Sequence, residues 1–208
     1  MGTRFGLLIA LTLVAACSPP AQTSTTATTE AAAPMVLACE AWAHVSGATL
    51  EQRFGSDNVV EQTLPGPEGE TYVATVIYPN TPDKRVEIVW RDLEGREVPM
   101  SVTVRGERSD WAGPRGIRLG APLESIEQAN GRPFQLYGFG WDYGGYVNDW
   151  KGGAVNDPAC HVGIRFDPSE DGDDSAVTGD GGFMSDAPGT RAAQAHVSEI
   201  SLGFSAPQ

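Results

Sequence analysis

The sequence predicts an α+β fold of two tandem helix-on-antiparallel-sheet units, preceded by a signal peptide and a flexible linker. Three observations carry that expectation. First, the segments Glu70–Tyr78, Arg85–Asp92 and Pro99–Arg105 alternate apolar and polar residues with period two, as half-buried antiparallel strands with one wet face do. Second, two short apolar-periodic segments carry helix start and stop signals, one beginning at Ser46 and one at Pro122. Third, Leu50-Glu51-Gln52-Arg53-Phe54-Gly55 lines up with Ile126-Glu127-Gln128-Ala129-Asn130-Gly131, 76 residues on. Glu, Gln and Gly are identical in the two, Leu and Ile are equivalent, and the order of a helix followed by strands recurs, which points to a duplicated unit. The boundaries that follow are a signal peptide over 1–16, a lipidated Cys with a disordered linker over 17–38, a first α+β unit over 39–110 and a second over 111–208.

The chain opens with one positive charge, Arg4, an apolar run from Phe5 to Val14, and small residues before Cys17. A charged start, a short apolar run and small residues before a cleavage point make a secretory signal. The run is shorter than the roughly 20 residues a membrane span needs. Leu13-Val14-Ala15-Ala16-Cys17 resembles a bacterial lipobox, which implies that the Cys17 thiol takes a diacylglyceryl group and that the mature chain begins there. The alternative is an ordinary secretory signal in which the Cys has no such role. The residue after Cys17 is Ser18 rather than Asp, which in Gram-negative lipoproteins points to the outer membrane, with the protein facing the periplasm. Residues 18–35 form a Ser/Thr/Ala/Pro tract without apolar periodicity, expected to be a disordered tether.

The 208 residues carry 14 basic and 27 acidic side chains, a net charge of −13. Removing residues 1–16 takes away only Arg4, leaving 13 basic against 27 acidic. So acidic a chain is a poor binder of nucleic acid or anionic lipid, because phosphate contacts need Lys and Arg. Of three Cys, acylation of Cys17 leaves Cys39 and Cys160. They are an even pair in an oxidising compartment and are expected to form a disulfide; the alternative is two separate buried thiols.

Along the chain, Ser46 is placed to cap a helix through Phe54, with Gly55 just past its end. In Glu70–Tyr78, Tyr72, Ala74, Val76 and Tyr78 face one way; Pro79–Asp83 is a turn. Val86, Ile88 and Trp90, then Met100, Val102 and Val104, give the next two apolar faces. Pro122 fits a first helical turn leading into Leu123, Ile126 and Ala129, ended by Gly131. Strand-like stretches follow at Phe134–Trp141, Cys160–Phe166 and Val197–Phe204.

Gly116-x-x-x-Gly120-x-Pro122, then Ile126, then Gly131-x-Pro133, resembles the helix-opening pattern of BamE-type (SmpA/OmlA) outer-membrane lipoproteins. The helix-on-sheet unit is shared, in tandem, by the β-lactamase inhibitory protein. Gly138-Phe139-Gly140-Trp141-Asp142-Tyr143-Gly144-Gly145 is similar to a signature of uncharacterised bacterial lipoproteins. The specific likeness covers about residues 116–145. It implies a periplasm-facing binding or assembly role and carries no catalytic residue with it. The chain departs from BamE-type domains in having two expected units, and from the inhibitors in its lipid signal.

The densest constellation runs from Phe134 to Trp150, where seven aromatic residues interleave with glycines and Asp142. Such residues can fill a small sheet's core, anchor a protein partner, or stack on a sugar ring. Trp141, Asp142, Tyr143 and Tyr146 are the candidate binding residues. Asp167–Asp174 partly matches a Ca²⁺ loop, but Thr178 stands where the bidentate Glu belongs and Asp174 where an apolar residue packs. A solvated acidic loop is the expectation there, with weak cation binding as the alternative. His44, His161 and His196 have no zinc-ligand spacing, and no nucleophile or phosphate-loop motif is present. The sequence therefore predicts no enzyme, cofactor or metal. It predicts a membrane-anchored module that binds an envelope protein, with glycan or small-molecule binding through residues 134–150 as the alternative.

Overall fold

The computed structural model describes residues 1–2 and 35–206. The expected lipobox with Cys17 and the expected linker as far as residue 34 lie outside the described residues, whereas residues 35–38, also expected as linker, are folded: Met35 and Val36 pair with Trp111 and Ala112, and Leu37 is buried. The described residues from 35 to 206 form one compact unit. Its elements run β1 (Met35–Val36), α1 (Cys39–Ala43), α2 (Gly47–Phe54), β2 (Val59–Pro65), β3 (Thr71–Ile77), β4 (Val86–Trp90), β5 (Pro99–Arg105), β6 (Trp111–Ala112), α3 (Leu123–Asn130), β7 (Gln135–Tyr137), β8 (Val147–Asp149), β9 (His161–Asp167), β10 (Gly182–Met184), α4 (Pro188–Ala192) and β11 (His196–Gly203). The class is α+β with antiparallel sheets.

The expected α2 forms as its sequence dictates. Ser46 Oγ accepts from Thr49 N at 3.2 Å and Thr49 Oγ1 accepts from Ser46 N at 2.8 Å, a reciprocal cap, and Gly55 closes the helix at φ 85°. Helix α3 starts just after Pro122 and ends on Gly131 in the left-handed region, φ 76°. Leu50 and Ile126, the matched positions of the repeat, are both buried in one core.

The strands do not divide as the helices do. A six-stranded antiparallel sheet runs β2-β3-β4-β5-β11-β9, so the C-terminal β11 inserts between the first half's last long strand and the second half's β9. Where two helix-on-sheet units were expected, the halves share one sheet and one core. Of the strand expected over Phe134–Trp141, only Gln135–Tyr137 forms a strand, in a small three-stranded sheet β10-β7-β8, and Phe139 makes an isolated bridge to Thr178. The glycines after Tyr137 turn the chain instead.

One face of the large sheet is apolar: Ile77, Val86, Ile88, Trp90, Val102, Val104, Val162, Ile164, Phe166, Ile200 and Leu202 are buried together with Leu37, Trp42, Leu50, Trp111, Leu123, Ile126 and Leu136 from the helices and short strands. Trp42 and Trp111 meet edge to face at 5.5 Å, and Phe134 stacks on Phe166 at 5.7 Å. Tyr72, Ala74 and Val76 of β3 share one face, as expected, whereas Tyr78, expected with them, packs against the core. The register pairs Val76 with Glu87 and Ile77 with Val86, so Tyr72, Ala74 and Val76 occupy the second face. Ala74 and Val76 are nonetheless buried, because Arg85 reaches from Glu87 across β3 to Gln62 Oε1 of β2, at 3.0 and 3.1 Å. The strand β2 and the short helices α1 and α4 had no clear sequence signal. Among the described residues no helix is long and apolar enough to cross a membrane.

Cys39 and Cys160 form the expected disulfide, with Cα atoms 5.6 Å apart across a sequence separation of 121. It fastens α1 to the entry of edge strand β9. Loop closure of this length is worth up to about 4–5 kcal/mol in entropy models and commonly about 2–4 when measured. The Cys39→Ser, Cys160→Ser double variant is therefore expected to lose about 2–4 kcal/mol in urea unfolding; an unchanged midpoint would show that the bridge constrains nothing the sheet does not already hold.

Candidate functional site

The second face of the sheet is polar by register. Glu87 pairs with Thr103, Thr103 with Ser201, and Arg105 with Glu199, which pairs in turn with Arg165. Glu199 reaches this face through an irregularity: the β11–β9 register shifts between Val197 and Glu199. Without that bulge Glu199 would share the face of Val197, which is in the core; with it, Val197 points into the core and Glu199 away from it.

Two carboxylates are thus placed almost out of solvent, the side chains of Glu87 and Glu199 being 8% and 11% exposed. Buried charge is costly unless paired. Arg85 Nε donates to Glu87 Oε1 at 3.0 Å. Arg105 lies between both acids, its Nε 3.3 Å from Glu87 Oε2 and its Nη2 3.5 Å from Glu199 Oε2. These are charge contacts rather than hydrogen bonds, and Glu87 Oε2 accepts none. Tyr146 donates its hydroxyl to Glu199 Oε1 at 2.8 Å. Burial works against the charged form of Arg105, yet Glu199 and Glu87 together hold its guanidinium above the usual value. Burial and then the Glu199 charge push the Tyr146 phenol well above the ordinary tyrosine range. Tyr72 is raised too, by burial, with Arg105 opposing.

The glycine-rich turn between β7 and β8 brings the aromatic residues to this face. Phe139 is in the core, while Phe166 N donates to Gly145 O at 3.0 Å and Arg165 Nε to Gly144 O at 3.0 Å. The turn is therefore stitched to edge strand β9 and passes from the apolar face to the polar one. Gly145 allows this: its φ is +77°, and a Cβ there would stand 1.9 Å from Phe166 O. Gly138 is similarly confined, since a Cβ there would stand 2.5 Å from the carbonyl oxygens of Val177 and Gly179. Beyond the edge the turn carries an edge-to-face series, Tyr137 to Trp141 at 5.6 Å and Trp141 to Tyr143 at 5.4 Å. At its tip, Asp142 Oδ2 accepts from Glu68 N at 3.0 Å, tying the turn to the Pro67–Gly69 bend of the β2–β3 hairpin.

The result is a cleft of about 750 Å³. Its floor is Tyr72, Glu87, Val89, Ser101, Thr103, Arg105, Glu199 and Ser201; its walls are the hairpin's Pro65–Pro67, the aromatic turn and Arg165. All four sequence candidates, Trp141, Asp142, Tyr143 and Tyr146, line it. Phe134, Phe139 and Trp150 belong to the core instead. Tyr143 is 47% exposed and Met100 44%. The floor residues were not singled out from sequence. Glu87 and Arg85 read as an ordinary wet strand face, and only the register of four strands makes them one cluster.

The other candidates separate. Gly172 of the acidic loop packs against the backbone of Ala193, whose carbonyl oxygen lies 2.1 Å from a Cβ placed there, and Asp173 accepts from Ser175 N and Oγ at 3.1 and 2.6 Å, which lowers its pKa. Among the described residues no three metal-ligating side chains gather. His44 and His161 line a separate cavity of about 660 Å³ beside the disulfide; His196 does not. Compared with protein-family models, with curated proteins and with solved structures, the chain matches none.

Because the folded state holds the Tyr146 proton at pH values where an unfolded tyrosine, with a pKa of about 10, releases it, stability falls as pH rises above about 10. Tyr146→Phe is expected to cost about 1–3 kcal/mol at pH 8 by leaving Glu199 short of a donor, and to lose less than the parent protein between pH 8 and pH 11. Urea unfolding at both pH values checks this; equal losses in the two proteins would mean that Tyr146 ionises freely in the fold.

Proposed function

We propose that the chain is a non-catalytic binding lipoprotein of the bacterial envelope. In this reading Cys17 carries the lipid at the outer membrane, residues 18–34 act as the tether, and the cleft on the polar sheet face takes a small ligand from the periplasm. The observation that carries the ligand reading is the pairing of a hydrogen-bonding floor, held rigid by buried ion pairs, with an exposed aromatic wall in a cleft of about 750 Å³. Small-molecule sites are typically concavities of roughly 300–1,000 Å³ in which a few fixed polar groups orient a ligand against apolar walls. The core does not use this face, and Tyr143 and Met100 present apolar surface to solvent within it.

That same exposure favours a second reading, in which Tyr143 and Met100 anchor an envelope protein, as exposed aromatic residues do at interfaces. The resemblance of residues 116–145 to BamE-type lipoproteins supports an envelope setting under either reading. The ligand reading is preferred because the polar groups lie at the bottom of a recess rather than on a flat rim.

The test is a photocrosslinking residue in place of Tyr143 in the full-length chain, activated in intact envelopes and read by mass spectrometry. The expected result is a non-protein adduct that survives exhaustive proteolysis. One dominant protein adduct would replace the ligand reading with the partner reading. No adduct would contradict both.

A further inference from the structure

Resting on the ligand reading of the cleft, we propose that its ligand is an uncharged saccharide that lays a ring face against Trp141 and Tyr143 and sets its hydroxyl oxygens on Arg105. Charge is the first constraint. Arg85, Glu87, Arg105 and Glu199 form one connected cluster of two cations and two anions, and Arg165 has Asp167 3.7 Å away. An anionic ligand would compete with carboxylates already seated on the guanidinium groups. A cationic one would meet Arg105 before reaching either acid. The floor cluster therefore offers directional donors and acceptors with its charges balanced, and the one further charge lining the cleft, Asp142 at the tip of the turn, already accepts from Glu68 N.

The two central arginines are used differently. Arg85 is committed, donating to Glu87, to Gln62 and to the carbonyl of Pro79. Arg105 is held by two charge contacts, neither with hydrogen-bond geometry, and by the Tyr72 hydroxyl beside it, and its side chain is 44% exposed. Its position is fixed while its N–H groups are available to oxygen atoms in the cleft, beside the hydroxyl-bearing Thr103 and Ser201. A sugar hydroxyl can both accept from a guanidinium and donate to a neighbouring oxygen, and hydrogen bonds to charged groups are the stronger kind. The walls supply the complement. Tyr143 meets Trp141 edge to face, leaving aromatic surface free for the apolar C–H face of a pyranose.

Calorimetric titration of the full chain tests the class. The probes are gluco-, galacto-, manno- and N-acetylglucosamine tetrasaccharides, with spermidine and citrate as charged counterparts. At least one neutral tetrasaccharide is expected to bind. Its Kd should change less than about twofold between about 0.05 and about 0.5 M NaCl, as expected where no net charge is neutralised. Tyr143→Ala, at a half-exposed position that leaves the fold intact, should weaken it about tenfold, the loss expected for one aromatic contact. Salt-dependent binding of spermidine or citrate that Tyr143→Ala abolishes would overturn the saccharide class while leaving the cleft a binding site. No binding by any tetrasaccharide would also overturn it, and the fate of the cleft itself then rests on the crosslinking result.

Discussion

The fold turns on how two carboxylates are kept charged on the face of a sheet whose other face is the core. Glu87 and Glu199 are nearly out of water, and an isolated buried carboxylate would cost several kcal/mol. Each neighbouring feature answers that cost. Arg105 stands between the two acids, Arg85 closes the far side of Glu87, and Tyr146 donates to Glu199. Arg85 does a second job, since its side chain also covers Ala74 and Val76 on the way to Gln62. Removing one member would strand another, which makes the cluster rigid. Rigid, prepaid polar groups are what a binding site needs in order not to spend affinity on ordering itself.

The glycine-rich turn follows from the same requirement. Tyr146 can reach Glu199 only if the chain leaving β7 crosses the edge of β9, and it can cross only where backbone meets backbone. Gly145 against Phe166 is that crossing, and Gly138 against Val177 and Gly179 lets the chain leave β7 close to the loop before β10. The aromatic residues then sort by side. Phe134, Phe139 and Trp150 stay in the core, whereas Trp141 and Tyr143 emerge on the polar face. Glu68 N on Asp142 ties the emerging tip to the opposite hairpin. Support of the walls thus comes from elements distant in sequence, which suits a preformed recess better than a mobile loop.

Much of this was legible in the chain. Alternation placed β4 and β5 and their core faces, except that Met100, expected beside Val102 and Val104, is exposed; capping signals placed α2 and α3; and the pair Cys39 and Cys160 was read from the parity left once Cys17 is set aside as acylated in an oxidising compartment. The candidate residues Trp141, Asp142, Tyr143 and Tyr146 stood out by composition and do share the cleft. What was not legible depends on register. The alternation in β3 gives two faces but not which one meets Glu87. The bulge before Glu199 inverts the phase of β11 within two residues, and no local pattern announces it. The repeat of Leu50–Gly55 in Ile126–Gly131 shows in the two helices, yet β11 joins the halves into one sheet through pairing that only the tertiary structure fixes.

Everything proposed for the cleft depends on the aromatic turn walling an open, preformed recess rather than completing a core. Hydroxyl-radical footprinting of the full chain in native buffer addresses it most directly. The account predicts rapid oxidation of Tyr143 and Met100, slower oxidation of Trp141, and protection of Trp42, Trp111 and Trp150. Protection of Tyr143 and Met100 to the level of Trp111 would contradict it, because the face assigned to a ligand would then already be covered by the protein itself.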